Sequence, residues 1–190
     1  MSTVVVARKG GTVAIASDSL VTFGEMRLPH GYEANAKMFE LAGSVIGTVG
    51  SVAHYTVLQS ALAALPPEQR RLDSREGLFE TFLALHPKLK ERFFLNTKEQ
   101  DSDPYESSQY SLVLANPRGI FGVESYREVF EFERFWAIGS GRRFALGAMH
   151  AVWAKAKTAR EVVQAGVAAG CEFDTSSAGP IRVQTFKLKN

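Results

Sequence analysis

Apolar and polar residues at the start of the chain follow a pattern typical of two β-strands. Residues 3–7 and 12–17 are runs rich in β-branched side chains, and the polar stretch "RKGG" separates them. Because glycine tolerates the positive φ of a tight turn, the pattern predicts an antiparallel hairpin. In such a hairpin the beginning of the first strand lies beside the end of the second, which places Ser2 or Thr3 next to Asp18.

The rest of the chain divides into helical and extended segments. Apolar residues recur at helical spacing in four segments. The first, "SVAHYTVLQSALAAL", stops at a Pro-Pro pair, and the second runs from about Ser74 to about Phe94. The third and fourth are "RRFALGAMHAVWAKA" and "AREVVQAGVAAGCEF". Strands are predicted in "SVIGTVG", in "YSLVLANPRGIFGVES" around a turn at 116–119, twice in "REVFEFERFWAIG", and in "IRVQTFKL". Strand blocks with paired helices between them predict an α+β fold with helices packed on antiparallel sheet.

Composition and charge narrow the class of protein. The chain has 190 residues, of which 45% are hydrophobic, and this predicts one domain over residues 1–190. A net charge of +2, without a basic stripe, argues against a nucleic-acid partner. Without a signal segment or a run long enough to span a membrane, and with Cys171 as the single cysteine, we expect a cytoplasmic protein. We expect no metal and no cofactor, because the four histidines lie far apart: His30, His54, His86 and His150.

The N-terminal hairpin carries the candidate chemistry. Removal of Met1, which is usual before a small residue, makes Ser2 a terminal residue with a hydroxyl nucleophile and a free α-amine. An α-amine with a pKa of about 8 can accept the hydroxyl proton near neutrality. A buried lysine lowers the cost of ionising the hydroxyl if a carboxylate keeps it charged and placed. Asp18 is the candidate carboxylate and Lys37, in "NAKMFEL", the candidate lysine, with an ordinary solvated lysine as the alternative.

A glycine at a strand end is a candidate for stabilising the transition state. Gly50, in "GTVGS", precedes a predicted helix. Its backbone N–H could donate to a developing oxyanion, whereas a plain turn glycine is the alternative.

These features together resemble a known family. A terminal Ser/Thr, Asp18 at the end of "TVAIASDS", and the motifs "KMFEL", "GTVGS", "AIGSG" and "DTSSAG" occur in this order along the whole chain. The pattern resembles the proteasome β-subunit superfamily of N-terminal nucleophile hydrolases, and most closely the bacterial HslV-type peptidases and the HslV-derived betaproteobacterial proteasome homologues. The resemblance implies a four-layer αββα sandwich. It also implies two stacked homo-oligomeric rings, of six or, preferably, seven subunits, which enclose a chamber for unfolded polypeptides or peptides, with an ATP-dependent unfoldase as a possible partner.

The resemblance also implies roles for individual residues. Ser2 falls on the nucleophile, Asp18 and Lys37 on its charged pair, and Gly50 on the oxyanion donor. Three further polar residues, for which a helix cap or polar turn is the alternative, fall on supporting positions: Ser140, Asp174 and Ser177. The pocket for the side chain before the scissile bond is implied to be modest and mostly apolar, with these lining residues: Val21, Thr22, Asn35, Thr48 and Val52.

Three alternatives follow from the sequence. Thr3 is a rival nucleophile if processing occurs one bond later, although its spacing to Asp18 is then one residue short. Retention of Met1 would block the amine of Ser2 and leave a ring-forming scaffold or binding chamber without hydrolytic activity.

The predicted exposed loop "NTKEQDSDPYESSQ" is either ordinary surface or a negative collar that selects basic substrate segments. Its acidic residues are Glu99, Asp101, Asp103 and Glu106.

Overall fold

The computed structural model describes residues 2–28, 31 and 37–189. Its strands are, in chain order, β1 (Val4–Lys9), β2 (Thr12–Ser17), β3 (Val21–Phe23), β4 (Met26–Leu28), β5 (Met38–Leu41), β6 (Ser44–Val49), β7 (Ser111–Asn116), β8 (Gly119–Val123), β9 (Val129–Phe132), β10 (Phe135–Ile138) and β11 (Arg182–Lys187). Its α-helices are α1 (Val52–Ala63), α2 (Arg75–Phe93), α3 (Arg142–Val152) and α4 (Ala159–Phe173), and a 3₁₀ turn spans Pro67–Gln69.

The strands form two larger antiparallel sheets and one small ribbon. The first sheet has the order β10-β1-β2-β11, and the second has the order β5-β6-β7-β8-β9. The predicted N-terminal hairpin is confirmed: Val4 pairs with Ser17, and Lys9 pairs with Thr12 across the turn at Gly10 and Gly11. The start of β1 and the end of β2 therefore lie side by side.

The alternation of side chains along β1 explains how the layers stack. Val4 and Val6 point into an apolar cluster between the two sheets, whereas Val5 and Ala7 point to the cluster under α3 and α4. On the other side, α1 and α2 cover the second sheet through a cluster that includes Leu85. The layers are thus helices, sheet, sheet and helices, and the predicted α+β fold with an αββα sandwich is confirmed.

Local signals account for most helix ends. The Ser74 hydroxyl accepts a hydrogen bond from the Gly77 N–H at 3.1 Å and begins α2, as the sequence predicts. The helix ends at Phe93, and the next residue, Phe94, has a left-handed backbone with a φ of 55°. Helix α3 is shorter than its pattern predicts: it ends at Val152, and the turn that follows contains Trp153, whose indole packs against Phe135.

A two-stranded ribbon, β3 and β4, was not predicted. It forms a sheet of its own, with Val21 opposite Leu28 and Phe23 opposite Met26. Phe23 and Met26 are 57% and 70% exposed. Strands of three residues are too short to show an alternation of apolar and polar positions, and this is why the pattern missed them.

We expect Leu85→Ala to lower the free energy of unfolding by about 2–5 kcal/mol, because the leucine is fully buried in the cluster under α2. Leu83→Ala is the matched control on the same helix, since Leu83 is 47% exposed, and its effect should stay within about 0.5 kcal/mol. Urea unfolding of the two variants measures the difference. Equal losses would contradict the packing described for α2.

Candidate active site

The end of the N-terminal hairpin holds Asp18 against the beginning of the chain. The Asp18 N–H donates to the Thr3 carbonyl oxygen at 3.1 Å, and the Thr3 N–H donates to Asp18 Oδ1 at 3.0 Å. These two hydrogen bonds fix the backbone next to Ser2. The position of Asp18 at the end of an apolar strand thus follows from its contact with the first residues of the chain.

The Asp18 carboxylate is fully buried and accepts hydrogen bonds from four other parts of the chain. Lys37 Nζ lies 2.8 Å from each of its two oxygens, in a bidentate ion pair. The Leu20 and Ala178 N–H groups each donate to Oδ2 at 3.1 Å, and the Thr3 N–H completes the set. Three backbone donors and one ammonium group therefore stabilise a charge that burial would otherwise disfavour.

Lys37 is a buried member of this ion pair, with a side chain only 13% exposed, so it is not an ordinary solvated lysine. Burial lowers the pKa of Lys37 below its ordinary value, while the adjacent Asp18 carboxylate opposes the shift. The two hydrogen bonds to Asp18 hold Lys37 Nζ in a fixed position.

A cleft of about 620 Å³ opens above the ion pair. Both Ser2 and Lys37 line it, together with Gly50. Four residues of the implied pocket also line it: Val21, Thr22, Thr48 and Val52. The fifth, Asn35, lies outside the described residues. Sequence reasoning missed seven lining residues, several of them from the ribbon and from α1: Leu20, Phe23, Gly24, Leu28, Val49, Ser51 and Tyr55.

Gly50 lies where the second sheet ends and α1 begins. The ladder between β6 and β7 closes with the pair Val49 and Ser111, so Gly50 is one residue beyond it. Its φ of 117° is a conformation that favours glycine. His54, from the first turn of α1, packs beside it, and a Cβ at Gly50 would lie 3.3 Å from His54 Nδ1. Burial lowers the pKa of His54, so that the ring adds no positive charge here at neutral pH.

A second polar cluster supports Ser2 from the side of α4. The Ser140 hydroxyl donates to Asp174 Oδ2 at 2.7 Å and lies 3.5 Å from the Ser2 carbonyl oxygen. The Ser177 hydroxyl donates to the same Asp174 oxygen at 2.6 Å. Although burial favours the neutral acid, the hydrogen bonds from Ser177 and Ser140 hold the pKa of Asp174 below its ordinary value.

Thr3 belongs to this second cluster rather than to the cleft. Its side chain is fully buried, and its hydroxyl lies 2.8 Å from the Ser177 hydroxyl. A Cβ at Gly170 would lie 2.4 Å from Thr3 Oγ1, which shows how closely α4 approaches it. The alternation of side chains along a strand places neighbours on opposite faces, so the sequence contained the signal that Ser2 and Thr3 point in different directions. This placement argues against Thr3 as the nucleophile.

The acidic loop is tied to the body of the chain. The Glu106 carboxylate accepts hydrogen bonds from Lys90 Nζ and lies 3.1 Å from the ring of the buried His86. Asp101 forms an ion pair with Lys98, and Glu99 accepts a hydrogen bond from the Ser107 hydroxyl. Asp103 accepts from the Gln100 N–H. Lysines thus offset the charge of Glu106 and Asp101, whereas Glu99 and Asp103 have only neutral donors and keep their negative charge.

The described residues contain neither a candidate metal site nor a candidate membrane span. Across 2–28, 31 and 37–189, no cluster of three or more His, Cys, Asp or Glu residues could hold a metal ion. Within the same described part of the chain, no helix is both long and apolar enough to cross a membrane.

Solved structures similar to this chain identify its family. The Thiobacillus denitrificans BPH is 38% identical over 98% of this chain and 98% of its own, with a TM-score of 0.89. The chain belongs to the betaproteobacterial proteasome homologue (BPH) family. The same BPH in complex with epoxomicin is 37% identical over 99% of this chain and 100% of its own, again with a TM-score of 0.89.

A more distant structure shares the fold of the BPH family. The eukaryotic HslV from Trypanosoma brucei is 19% identical over 97% of this chain and 99% of its own, with a TM-score of 0.67. No family model and no curated protein matches the chain. The resemblance read from the motifs is thus confirmed by the solved structures, and the chain is a member of a proteasome-like peptidase family.

We expect Asp18→Ala to destabilise this BPH family member by about 3–5 kcal/mol, because it leaves the Lys37 ammonium and three N–H groups without their common acceptor. Asp101→Ala is the matched control, since Asp101 forms an ion pair at an exposed position and should contribute less than about 1 kcal/mol. Thermal unfolding of both variants provides the measurement. If Asp18→Ala proves as mild as Asp101→Ala, the buried carboxylate is not the structural centre described here.

Proposed function

We propose that the chain is a self-compartmentalising peptidase that hydrolyses peptide bonds with Ser2 as its N-terminal nucleophile. The observation that carries the proposal is that Ser2, Lys37 and Gly50 line one cleft, with Lys37 held on the buried Asp18. Removal of Met1 gives Ser2 its free α-amine. The proposed enzyme is a threonine-protease-type hydrolase with serine in place of threonine, and it acts as a single domain over residues 1–190.

The first half of the reaction is acyl transfer to Ser2. The α-amine accepts the proton of the Ser2 hydroxyl, and Oγ attacks the carbonyl carbon of the substrate. The Lys37 charge lowers the cost of forming the alkoxide, and the Gly50 N–H donates to the oxyanion. When the tetrahedral intermediate collapses, the C–N bond breaks and the α-ammonium returns its proton to the leaving amine. The acyl group is then an ester of Ser2.

The second half hydrolyses this ester. The α-amine removes a proton from a water molecule, the hydroxide attacks the ester carbon, and the C–Oγ bond breaks. The proton passes from the α-ammonium to Oγ, which restores the hydroxyl of Ser2. In this proposal Asp174, Ser140 and Ser177 are positioning residues that orient the α-amine, and their mutual hydrogen bonds of 2.6–2.7 Å support that role.

The walls of the cleft favour a class of substrate side chain. Val21 and Val52 supply apolar surface, and Thr48 adds a short polar side chain whose hydroxyl donates to the Ser111 carbonyl oxygen. Asn35, Thr22 and these residues make up the proposed pocket for the side chain before the scissile bond. We propose a preference for small or medium apolar side chains at that position, in unfolded polypeptides or peptides.

The proposed enzyme works inside an assembly of its own copies. Two stacked homo-oligomeric rings of six or seven subunits, with seven favoured, would enclose the clefts in a chamber in the cytoplasm of a bacterial cell. Family membership supports self-association, since the homologues are proteasome-type proteins. An ATP-dependent unfoldase is a proposed partner that would deliver substrates to such a chamber. We propose no cofactor.

We expect Ser2→Ala to abolish peptide hydrolysis, because it removes the attacking oxygen, and Ser2→Thr to retain it. Epoxomicin, the ligand named for the Thiobacillus denitrificans relative, should bind this chain, and a peptide epoxyketone should add covalently to wild type but not to Ser2→Ala. Intact-mass spectrometry measures both the loss of Met1 and the adduct.

The same experiment separates the peptidase from a silent scaffold. Retention of Met1 together with absence of an adduct would favour the ring-forming binding chamber. Full activity in Ser2→Ala would rule out Ser2 as nucleophile in either case.

We expect the purified protein to form a particle of roughly a dozen subunits, because a symmetric pair of closed rings is the proposed assembly. Light scattering coupled to size exclusion measures the mass at micromolar concentration. A monodisperse monomer under these conditions would contradict the ring assembly.

A further inference from the structure

A second recess adjoins the cleft on the side of Ser140. It has a volume of about 430 Å³ and shares two lining residues, Val49 and Gly50, with the cleft. Its other lining residues include Ser111 of β7, Glu124 just after β8, Trp136 of β10, Ser140 in the following loop and Arg142 at the start of α3. None of these except Ser140 has a part in the proposed chemistry, so the recess is a structural feature without an assigned function.

The position of the recess relates it to one half of a substrate. A polypeptide attacked at its carbonyl carbon extends in two directions, towards the acyl side and towards the leaving amine. The apolar pocket with Val21 and Val52 takes the acyl side. Ser140, which lines the recess, lies 3.5 Å from the Ser2 carbonyl oxygen, so the recess borders the proposed nucleophilic residue. Because the acyl side would occupy the pocket with Val21 and Val52, the recess that adjoins it is the neighbouring space left for the leaving segment.

Trp136 is the largest apolar surface in the recess. It lies on β10, an edge strand of the first sheet, and remains 39% exposed. One neighbour is the Phe132 ring, with centroids 5.4 Å apart and planes inclined by 15°. Phe132 in turn stacks on Phe130 at 6.1 Å and 13°. A ladder of three aromatic rings thus holds the indole in a fixed orientation before any substrate binds, which lowers the entropy cost of binding.

The polar residues around the indole are also held in place. The Arg142 guanidinium donates to the Gly139 carbonyl oxygen at 3.1 Å, and the Glu124 carboxylate accepts a hydrogen bond from the Ser111 hydroxyl. One positive and one negative side chain offset each other, so the recess favours neither an acidic nor a basic residue. An apolar side chain with a flat face fits this environment best, because it can stack on the indole.

We propose that the recess around Trp136 binds the leaving-side segment of the substrate and selects an aromatic residue at the first position after the scissile bond. This inference rests on the proposed peptidase function and extends it to a second determinant of specificity. It assigns Trp136 as the anchor of that subsite.

The first test compares two peptides with the same apolar acyl side and either Phe or Ala directly after the scissile bond. We expect wild type to cleave the Phe peptide with the higher kcat/KM, and the Phe-to-Ala ratio to fall about twofold to tenfold in Trp136→Ala. Trp136→Phe should keep most of the preference. Phe79→Ala is the matched control, since Phe79 is a 45% exposed aromatic residue of α2 that belongs neither to the ladder nor to the recess, and its ratio should equal that of wild type.

The second test does not need catalysis or a change at Trp136. The chain has two tryptophans, so Trp153→Phe in a Ser2→Ala background leaves Trp136 as the only fluorophore of its kind. Titration with a short peptide that begins with Phe, the leaving-side product, should give a saturable shift in emission. The peptide that begins with Ala should give a smaller shift or none at the same concentrations.

The outcomes separate the two proposals. Cleavage that depends on Ser2 but shows the same Phe-to-Ala ratio in wild type and Trp136→Ala would overturn the subsite. Absence of a shift in the titration would also overturn it, even where Trp136→Ala fails to fold. Absence of both cleavage and covalent capture would reject the peptidase itself, and a specific shift in that case would identify the recess as a peptide-binding site.

Discussion

The buried carboxylate of Asp18 joins parts of the chain that are far apart in sequence. It accepts five hydrogen bonds, which come from Thr3 just before β1, from the segment after β2, from Lys37 before β5, and from the loop after α4. A buried charge without such partners would cost several kcal/mol, so the fold has to bring all of them together or lose the ionised carboxylate. The hydrogen bonds that stabilise the Asp18 carboxylate therefore also position Lys37 and the backbone next to Ser2, and Lys37 and Ser2 both line the cleft.

The cluster around Asp18 and the cluster around Asp174 both contact Thr3. The Thr3 N–H donates a hydrogen bond to the Asp18 carboxylate. The Thr3 hydroxyl is hydrogen-bonded to the Ser177 hydroxyl, which in turn donates to Asp174. Ser2 lies next to this doubly held residue, and its own carbonyl oxygen accepts hydrogen bonds from the loop before α3. Thr3, which carries no chemistry in the proposed mechanism, thus connects both clusters to the backbone next to Ser2.

Much of the fold was predictable where the signal is local. The glycine turn of the first hairpin, the Ser74 cap, and the turn in which Asn116 Oδ1 accepts from the Arg118 and Gly119 N–H groups depend on a few neighbouring residues. The sequence offered Asp18 and Lys37 as a candidate pair, but spacing alone did not distinguish Lys37 from an ordinary solvated lysine. The recess around Trp136 could not be predicted, because strands from both sheets contribute to it and only packing determines which side chains meet there.

The ribbon β3–β4 gives one wall of the cleft a different character from the others. The wall formed by Thr48, Gly50 and Val52 belongs to a five-stranded sheet and a helix, both backed by a large apolar cluster. The ribbon has only two strands, and most of its side chains are exposed. An isolated pair of short strands has little cooperativity, so its hydrogen bonds open at a lower free energy than those of the sheet. The cleft consequently joins two walls of unequal stability: the wall on the sheet and α1 opens only with the large apolar cluster, whereas the wall on the ribbon can open by itself.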